Sequence, residues 1–161
     1  EGPLVVDADA LNLIAAEGAA NLLHERMVLT PHPGELLRLF PEAESLDRAA
    51  TARAFVERFP CTLLYKGART IVTARGHPLH YNTTGTPGMA SGGQGDVLTG
   101  LLAALLGGRL TPLDAARAAA WLAGRASELA LAPGRQSVQS LLAGDTVEQL
   151  GGAFRELRGE S

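Results

Sequence analysis

The residues most able to do chemistry lie in one segment, residues 83–100. Eight of the chain's 19 glycines fall between positions 85 and 108, and one aspartate, Asp96, stands among them just before a leucine-rich run. Glycines permit tight turns with positive φ and leave the backbone open to close approach. If a helix begins here, its first backbone N–H groups lack partners within the helix and lie at the positive end of its dipole, where a phosphate binds well. We therefore interpret four residues as an anion hole: Gly92, Gly93, Gln94 and Gly95.

Asp96 distinguishes phosphate transfer from simple phosphate binding. A carboxylate beside an anion hole repels phosphate, so a loop that only binds phosphate gains nothing from it. The carboxylate is useful when a hydroxyl lies between the two, because it then accepts the hydroxyl proton while the amides stabilise the transferring phosphoryl group. The alternative is that Asp96 only offsets the helix dipole, a contribution of roughly 0.3–1 kcal/mol. The surrounding glycines favour the chemical interpretation, with Asp96 as general base, although the segment is neither a P-loop nor a dinucleotide-binding fingerprint.

The rest of the chain predicts an α/β domain that would position this segment. Short apolar runs without alternation, typical of strands covered on both faces, occur at residues 4–6, 27–29, 63–65 and 70–73. Helical patterns lie between the first of these runs, at residues 10–17, 34–40 and 47–59. Helices are also predicted near the C-terminus, at residues 97–106, 111–131 and 146–157. We predict a mainly parallel sheet flanked by helices, with a small antiparallel hairpin around a turn at residues 75–78.

Composition excludes several classes of function. Hydrophobic residues make up 46% and charged residues 19% of the chain, as in ordinary globular proteins, and the net charge is −3. The chain has no stripe of lysine and arginine of the kind that binds nucleic acid, and it has no apolar run long enough to span a bilayer. The single cysteine, Cys61, is interpreted as a small buried hydrophobic residue, in keeping with a reducing cytoplasm.

Four motifs, in order along the chain, carry a resemblance to a known family. They are residues 6–12 (VDADALN), 30–35 (TPHPGE), 66–70 (KGART) and 82–100 (NTTGTPGMASGGQGDVLTG). Together they resemble the ADP/ATP-dependent NAD(P)H-hydrate dehydratases of the ribokinase-like superfamily. The resemblance implies a lyase of metabolite repair, which phosphorylates the hydroxyl of hydrated NADH or NADPH and then eliminates phosphate to restore the coenzyme. It implies that residues 1–161 form the C-terminal part of a single domain.

The resemblance also assigns roles to individual residues. Asp96 would be the general base and contact the substrate, and His32 would contact the hydrated nicotinamide. Glu35 would help to organise Mg²⁺ through water, because this ion keeps several waters and few carboxylates. The resemblance implies a nucleotide site formed by Gly95 and five further residues: Lys66, Gly67, Ala68, Arg69 and Thr70. Gln94 departs from the family, which usually has serine or threonine there.

Several of these residues have a plainer alternative. His32 stands between two prolines and could form a rigid surface turn. Lys66 follows a predicted strand and could be a solvated strand end. Asp7 and Asp9 lie at the carboxyl end of a strand, where α/β proteins bind ligands, but they could equally cap a helix at Ala10.

Family domains are longer than this chain, so we expect the N-terminal half of the domain to be missing. The sheet would then have an open edge beside residues 4–6. Relatives also imply a homo-oligomer, for which a tetramer is one option. Two other functions stay open, namely a kinase for a vitamin-precursor alcohol that uses the same Asp96, and a non-catalytic nucleotide-binding fragment. The motif around His32 favours the dehydratase, and the choice between ADP and ATP as donor is open.

Overall fold

The computed structural model describes residues 2–132 and 134–160. The strands are β1 (Leu4–Val6), β2 (Met27–Leu29), β3 (Thr62–Tyr65), β4 (Ile71–Thr73) and β5 (His80–Tyr81). The helices are α1 (Ala8–Ala16), α2 (Pro33–Leu39), α3 (Arg48–Arg58), α4 (Gln94–Gly107), α5 (Pro112–Ala130) and α6 (Ala143–Leu157). Short 3₁₀ turns lie at Ala19–Leu22, Pro41–Ala43 and Pro87–Ala90. These elements confirm the predicted α/β class.

The five strands form one mixed sheet in the order β1-β2-β3-β4-β5. β1, β2 and β3 are parallel, whereas β4 pairs antiparallel with both β3 and β5. The change of direction follows from the short connection between β3 and β4, residues 66–70, because a parallel crossover needs a dozen residues or more. The predicted hairpin is confirmed, with Val72 opposite His80.

Helices cover both faces of the sheet, which explains why the strands lack alternation. Leu29, Leu63 and Ile71 pack into a core with residues of α1, α2 and α3, among them the buried Phe55. On the opposite face, one buried cluster joins strand residues to α4, α5 and α6: Val28, Leu64, Val72, Leu102 and Leu122. The result is a three-layer arrangement with the sheet in the middle.

Local sequence signals explain where several helices begin. Thr111 caps α5 as predicted, since its Oγ1 accepts the backbone N–H of Asp114 at 3.2 Å and Pro112 occupies the first turn. α6 begins three residues earlier than predicted, at Ala143, because the Asp145 carboxylate accepts the N–H of Leu142 at 2.8 Å. Within the described part of the chain, no helix has both the length and the apolar character that a bilayer span requires.

Candidate functional site

The carboxyl ends of the parallel strands β1 and β3 meet the N-terminus of α4. Asp7 directly follows β1, and Lys66 directly follows β3. The Lys66 ammonium Nζ lies 2.7 Å from Asp7 Oδ1, and Asp7 Oδ2 accepts the Thr99 hydroxyl at 2.9 Å. Gly95 of α4 lies against the same pair, since a Cβ on it would be 3.8 Å from Asp7 Oδ2 and 4.0 Å from Lys66 Nζ. Open α/β sheets bind their ligands in the crevice at this edge.

Asp7 is an ionised and largely buried part of this crevice, with a side chain 12% exposed. Burial raises its pKa, but the hydrogen bond and charge of Lys66, together with hydrogen bonds from Thr99 and Thr30, bring the pKa below its ordinary value. Although Asp7 stands at the N-cap position of α1, its side chain makes no capping hydrogen bond. The capping alternative is therefore wrong for Asp7. Asp9 lies exposed in the first turn of α1.

The predicted anion hole lies at the start of α4. Gly93 is the N-cap residue, with φ 86° and no side-chain cap. The N–H of Val97 donates to the Gly93 carbonyl at 3.1 Å, which leaves the amides of residues 94–96 available to a ligand. Gly93 is required by the fold itself, because its φ is positive and a Cβ would lie 3.1 Å from that of Ala143. Gly92 has no such constraint, since a Cβ there would meet nothing within 4 Å.

The Gln94 side chain points away from the anion hole. It is buried, and its Nε2 donates to Thr146 Oγ1 of α6 at 3.1 Å, while its Oε1 has no partner in the described structure. Gln94 can therefore contribute only its backbone amide to an anion site. The hydrogen bond from Gln94, which replaces the usual serine or threonine of the family, connects the first turn of α4 to α6.

Asp96 lies in the first turn of α4 and is exposed to solvent. Among the residues that the structure describes, the Asp96 side chain makes no hydrogen bond and no ion pair. The carboxylate is thus open to an incoming group, next to the amides of the predicted anion hole. This position suits a proton acceptor, and it also suits an acidic residue that offsets the helix dipole.

His32 and Glu35 form a capping box at the start of α2. His32 Nδ1 accepts the N–H groups of Gly34 at 3.0 Å and Glu35 at 3.2 Å, and Glu35 Oε2 accepts the His32 N–H at 2.8 Å. The His32 side chain is 51% exposed, with Nε2 3.4 Å from Glu35 Oε1. The rigid turn proposed as the plainer alternative is therefore present, and about half of the His32 side chain stays exposed.

The same capping box reaches the cluster around Asp7. Glu35 is buried, and its Oε2 lies 3.9 Å from Lys66 Nζ. The ammonium thus lies between two carboxylates, and its side chain is only 23% exposed, unlike that of a solvated strand end. His32, Glu35 and Lys66, which come from two of the predicted motifs, are brought together with Asp7 from a third.

The predicted nucleotide loop, residues 66–70, joins β3 to β4 at the surface. Gly67 and Arg69 have positive φ values of 149° and 104°, and Thr70 Oγ1 donates to the Gly67 carbonyl at 3.2 Å. Ala68 is exposed at the tip. Arg48 supports the loop from α3, because its Nη2 donates to the Tyr65 and Lys66 carbonyls, each at 3.2 Å.

Two contributors to the site were missed in the sequence. Thr99 had a signal, since it lies in the quoted motif at residues 82–100 and follows Gly95 by four residues, a spacing that puts both on one face if the helix begins at the glycines. Arg48 had none, because its contacts with the loop depend on how α3 packs against β3. Its guanidinium lies 4.1 Å from the centre of the Tyr65 ring and would clash with a side chain at Gly67.

The carboxylates of the crevice fit a magnesium ion only indirectly. The described residues contain no group of three or more His, Cys, Asp or Glu side chains placed to hold a metal. Both Glu35 oxygens already face His32, so water rather than direct ligation suits this carboxylate. A magnesium ion bound mainly by nucleotide phosphates and water is consistent with such a site.

Comparison with known proteins places this chain in one family. The model of the NAD(P)H-hydrate dehydratase family matches residues 1–149. The bifunctional NAD(P)H-hydrate repair enzyme of Moorella thermoacetica is 40% identical over 164 residues, which covers 98% of this chain and 30% of that protein. The ADP-dependent (S)-NAD(P)H-hydrate dehydratase of Neisseria meningitidis is 35% identical, covering 79% of this chain and 45% of that protein.

Solved structures agree with the sequence comparisons. The ADP/ATP-dependent NAD(P)H-hydrate dehydratase from Bacillus subtilis, co-crystallised with ATP and Mg²⁺, superposes with a TM-score of 0.79 at 28% identity. That match covers 96% of this chain and 55% of the Bacillus chain. Phosphofructokinase-2 from Escherichia coli, at 15% identity and a TM-score of 0.59, shares the fold alone. The chain thus spans about a third of the Moorella relative and about half of the Bacillus one.

Proposed function

The chain belongs to the NAD(P)H-hydrate dehydratase family, and from this membership we propose that it acts in the repair of hydrated NADH and NADPH. The observation that carries the proposal is the open first turn of α4, where Asp96 stands beside free backbone amides at the carboxyl edge of the sheet. A phosphate and a hydroxyl can lie there side by side. The phosphoryl donor is ADP or ATP.

The chemistry has two steps. The hydroxyl oxygen of the hydrate attacks the terminal phosphorus of the nucleotide, whose bond to the leaving oxygen breaks, while Asp96 takes the hydroxyl proton. The free amides of residues 94–96 stabilise the charge on the phosphoryl oxygens during transfer. The carbon–oxygen bond of the phosphate ester then breaks with loss of a ring proton, which releases phosphate and restores the reduced nicotinamide.

The remaining motif residues bind and orient the reactants in this proposal. The loop at residues 66–70 and Gly95 contact the nucleotide, and His32 contacts the nicotinamide end through the exposed part of its ring. The support for His32 is that Nδ1 is fixed by the helix cap, so the ring is held in one orientation. Glu35 would hold water bound to Mg²⁺, which neutralises phosphate charge when bound.

The test is an enzymatic assay with NADH hydrate, Mg²⁺ and either ADP or ATP, followed by the return of NADH absorbance. Recovery with the wild-type chain and none with Asp96→Asn is the expected result, and the faster nucleotide identifies the donor. Phosphorylation of a vitamin-precursor alcohol without any recovery of NADH would replace the proposal with a small-molecule kinase. No recovery and no phosphorylation would contradict both.

A further inference from the structure

The Asp7 carboxylate connects two elements that come together only in the folded chain. One oxygen, Oδ1, accepts from Lys66 at the end of β3, and the other, Oδ2, accepts from Thr99 in α4. Asp7 and Thr99 are 92 positions apart in the sequence. A single side chain at the end of β1 therefore contacts both the start of the proposed nucleotide loop and the helix of the proposed anion hole.

Thr99 and Gly95 share one face of α4, because residues four apart lie one above the other. Gly95 lies close enough to Asp7 that a Cβ on it would be 3.8 Å from Oδ2. The first turn of α4 thus rests directly on the Asp7 carboxylate. A shift or rotation of this turn would lengthen the bond from Thr99 and move the amides of residues 94–96 at the same time.

α6 holds the same turn from another direction. The Gln94 side chain binds Thr146, and Gly93 packs against Ala143. The contact with α6 is made by residues that precede Gly95, whereas the contact with Asp7 is made by residues at and after it. Of these two attachments, only the one through Asp7 also touches Lys66.

We propose that Asp7 is a positioning residue for the anion hole. It acts through Thr99 to set the position and rotation of the first turn of α4, and Lys66 offsets the negative charge of Asp7 beside the phosphate. This inference rests on the proposed function in taking ADP as the ligand. Both Asp7 oxygens are occupied by protein groups, so Asp7 acts through Thr99 and Lys66 without touching the phosphate. The lowered pKa of Asp7 keeps it ionised at neutral pH, which suits both hydrogen bonds.

The test separates position from mere stability with two variants at one site. Thr99→Val keeps the shape of the side chain and removes the hydroxyl, whereas Thr99→Ser keeps the hydroxyl. Two quantities are measured, namely amide hydrogen exchange at residues 97–100, the first amides of α4 that are hydrogen-bonded within the helix, in the ligand-free chain, and the affinity for ADP with Mg²⁺ by calorimetry. We expect Thr99→Val to exchange faster at these amides and to bind ADP about tenfold more weakly, and Thr99→Ser to restore both.

The outcomes are distinguishable. Unchanged exchange in Thr99→Val would show that Asp7 does not hold the turn and would overturn the inference. Faster exchange, or a lower melting temperature, with unchanged ADP affinity would reduce the contact to a structural one and would also overturn it. A wild-type chain that binds no ADP would contradict the proposed function and the ligand named here, while the exchange data from the ligand-free chain would still decide whether Thr99 anchors α4.

Discussion

Lys66 and Asp7 form a direct ion pair at the edge of the sheet, with Nζ 2.7 Å from Oδ1, beside the helix turn that the sequence assigns to phosphate. Glu35 adds a second carboxylate 3.9 Å from the same ammonium. In the ligand-free chain, Lys66 therefore offsets acidic charge that would otherwise oppose an incoming phosphate. This charge-offsetting role is additional to the nucleotide contact that the family resemblance implies for Lys66. The two roles lead to different expected effects of mutation.

Lys66→Met should weaken ADP binding, and Asp7→Asn should restore part of the loss when combined with it. Removing the ammonium leaves Asp7 charged and largely buried beside the proposed phosphate site, at a cost of about 1–3 kcal/mol, and the neutral amide that Asp7→Asn introduces in the double variant avoids this cost. The measurement is ADP titration with the wild-type chain, both single variants and the double variant. An equal loss from Lys66→Met in both backgrounds would show that Lys66 acts only by contacting the nucleotide.

Asp7 should also contribute to the pH dependence of stability. Its pKa is lower in the folded chain, so its contribution is present above the unfolded value of about 3.9 and is lost as the pH falls through the folded value. We therefore expect Asp7→Asn to be less stable than wild type at pH near 7, by about 1–3 kcal/mol, with the gap closing in acid. Urea unfolding of both proteins across this pH range measures the gap, and a constant gap would argue against the ion pair.

The sequence predicted the elements of the site better than their mutual arrangement. Strand and helix positions followed from apolar runs and caps, because those signals are local. The contact between Asp7 and Thr99 depends on how α4 packs over β1, and no local pattern specifies it. The capping box of His32 did have a local signal, since proline at the first position and glutamate at the third are typical of a helix start.

Gly95→Ala should separate ligand binding from folding. A Cβ at this position would meet only Asp7 and Lys66, at 3.8 and 4.0 Å, so the ligand-free chain has room for it. We expect a melting temperature close to wild type but weaker ADP binding, because the methyl group lies beside the proposed phosphate site, and Gly95→Val should block binding. Unchanged ADP affinity in Gly95→Val would remove Gly95 from the nucleotide site.

Gly93→Ala provides the matched control two residues away. Its φ of 86° and the contact of 3.1 Å with Ala143 make any side chain strained there. A loss of about 1–2 kcal/mol in the free energy of unfolding is expected from the left-handed backbone alone. Urea unfolding of the ligand-free chains should therefore separate the two alanine variants, with a loss of stability in Gly93→Ala and none in Gly95→Ala.

Asp96→Asn should abolish turnover while leaving nucleotide binding intact. The Asp96 side chain is exposed in the first turn of α4, so the amide fits without repacking, and the backbone amides of the anion hole stay in place. Loss of a general base lowers the rate by about 10²–10⁴-fold. Removing a negative charge beside phosphate should leave ADP affinity equal or slightly higher, whether Asp96 is the base or only offsets the helix dipole. ADP affinity alone therefore does not distinguish these two roles. The decisive comparison is thus the rate of NADH recovery against the ADP dissociation constant in the same variant, and normal turnover in Asp96→Asn would exclude Asp96 as the base.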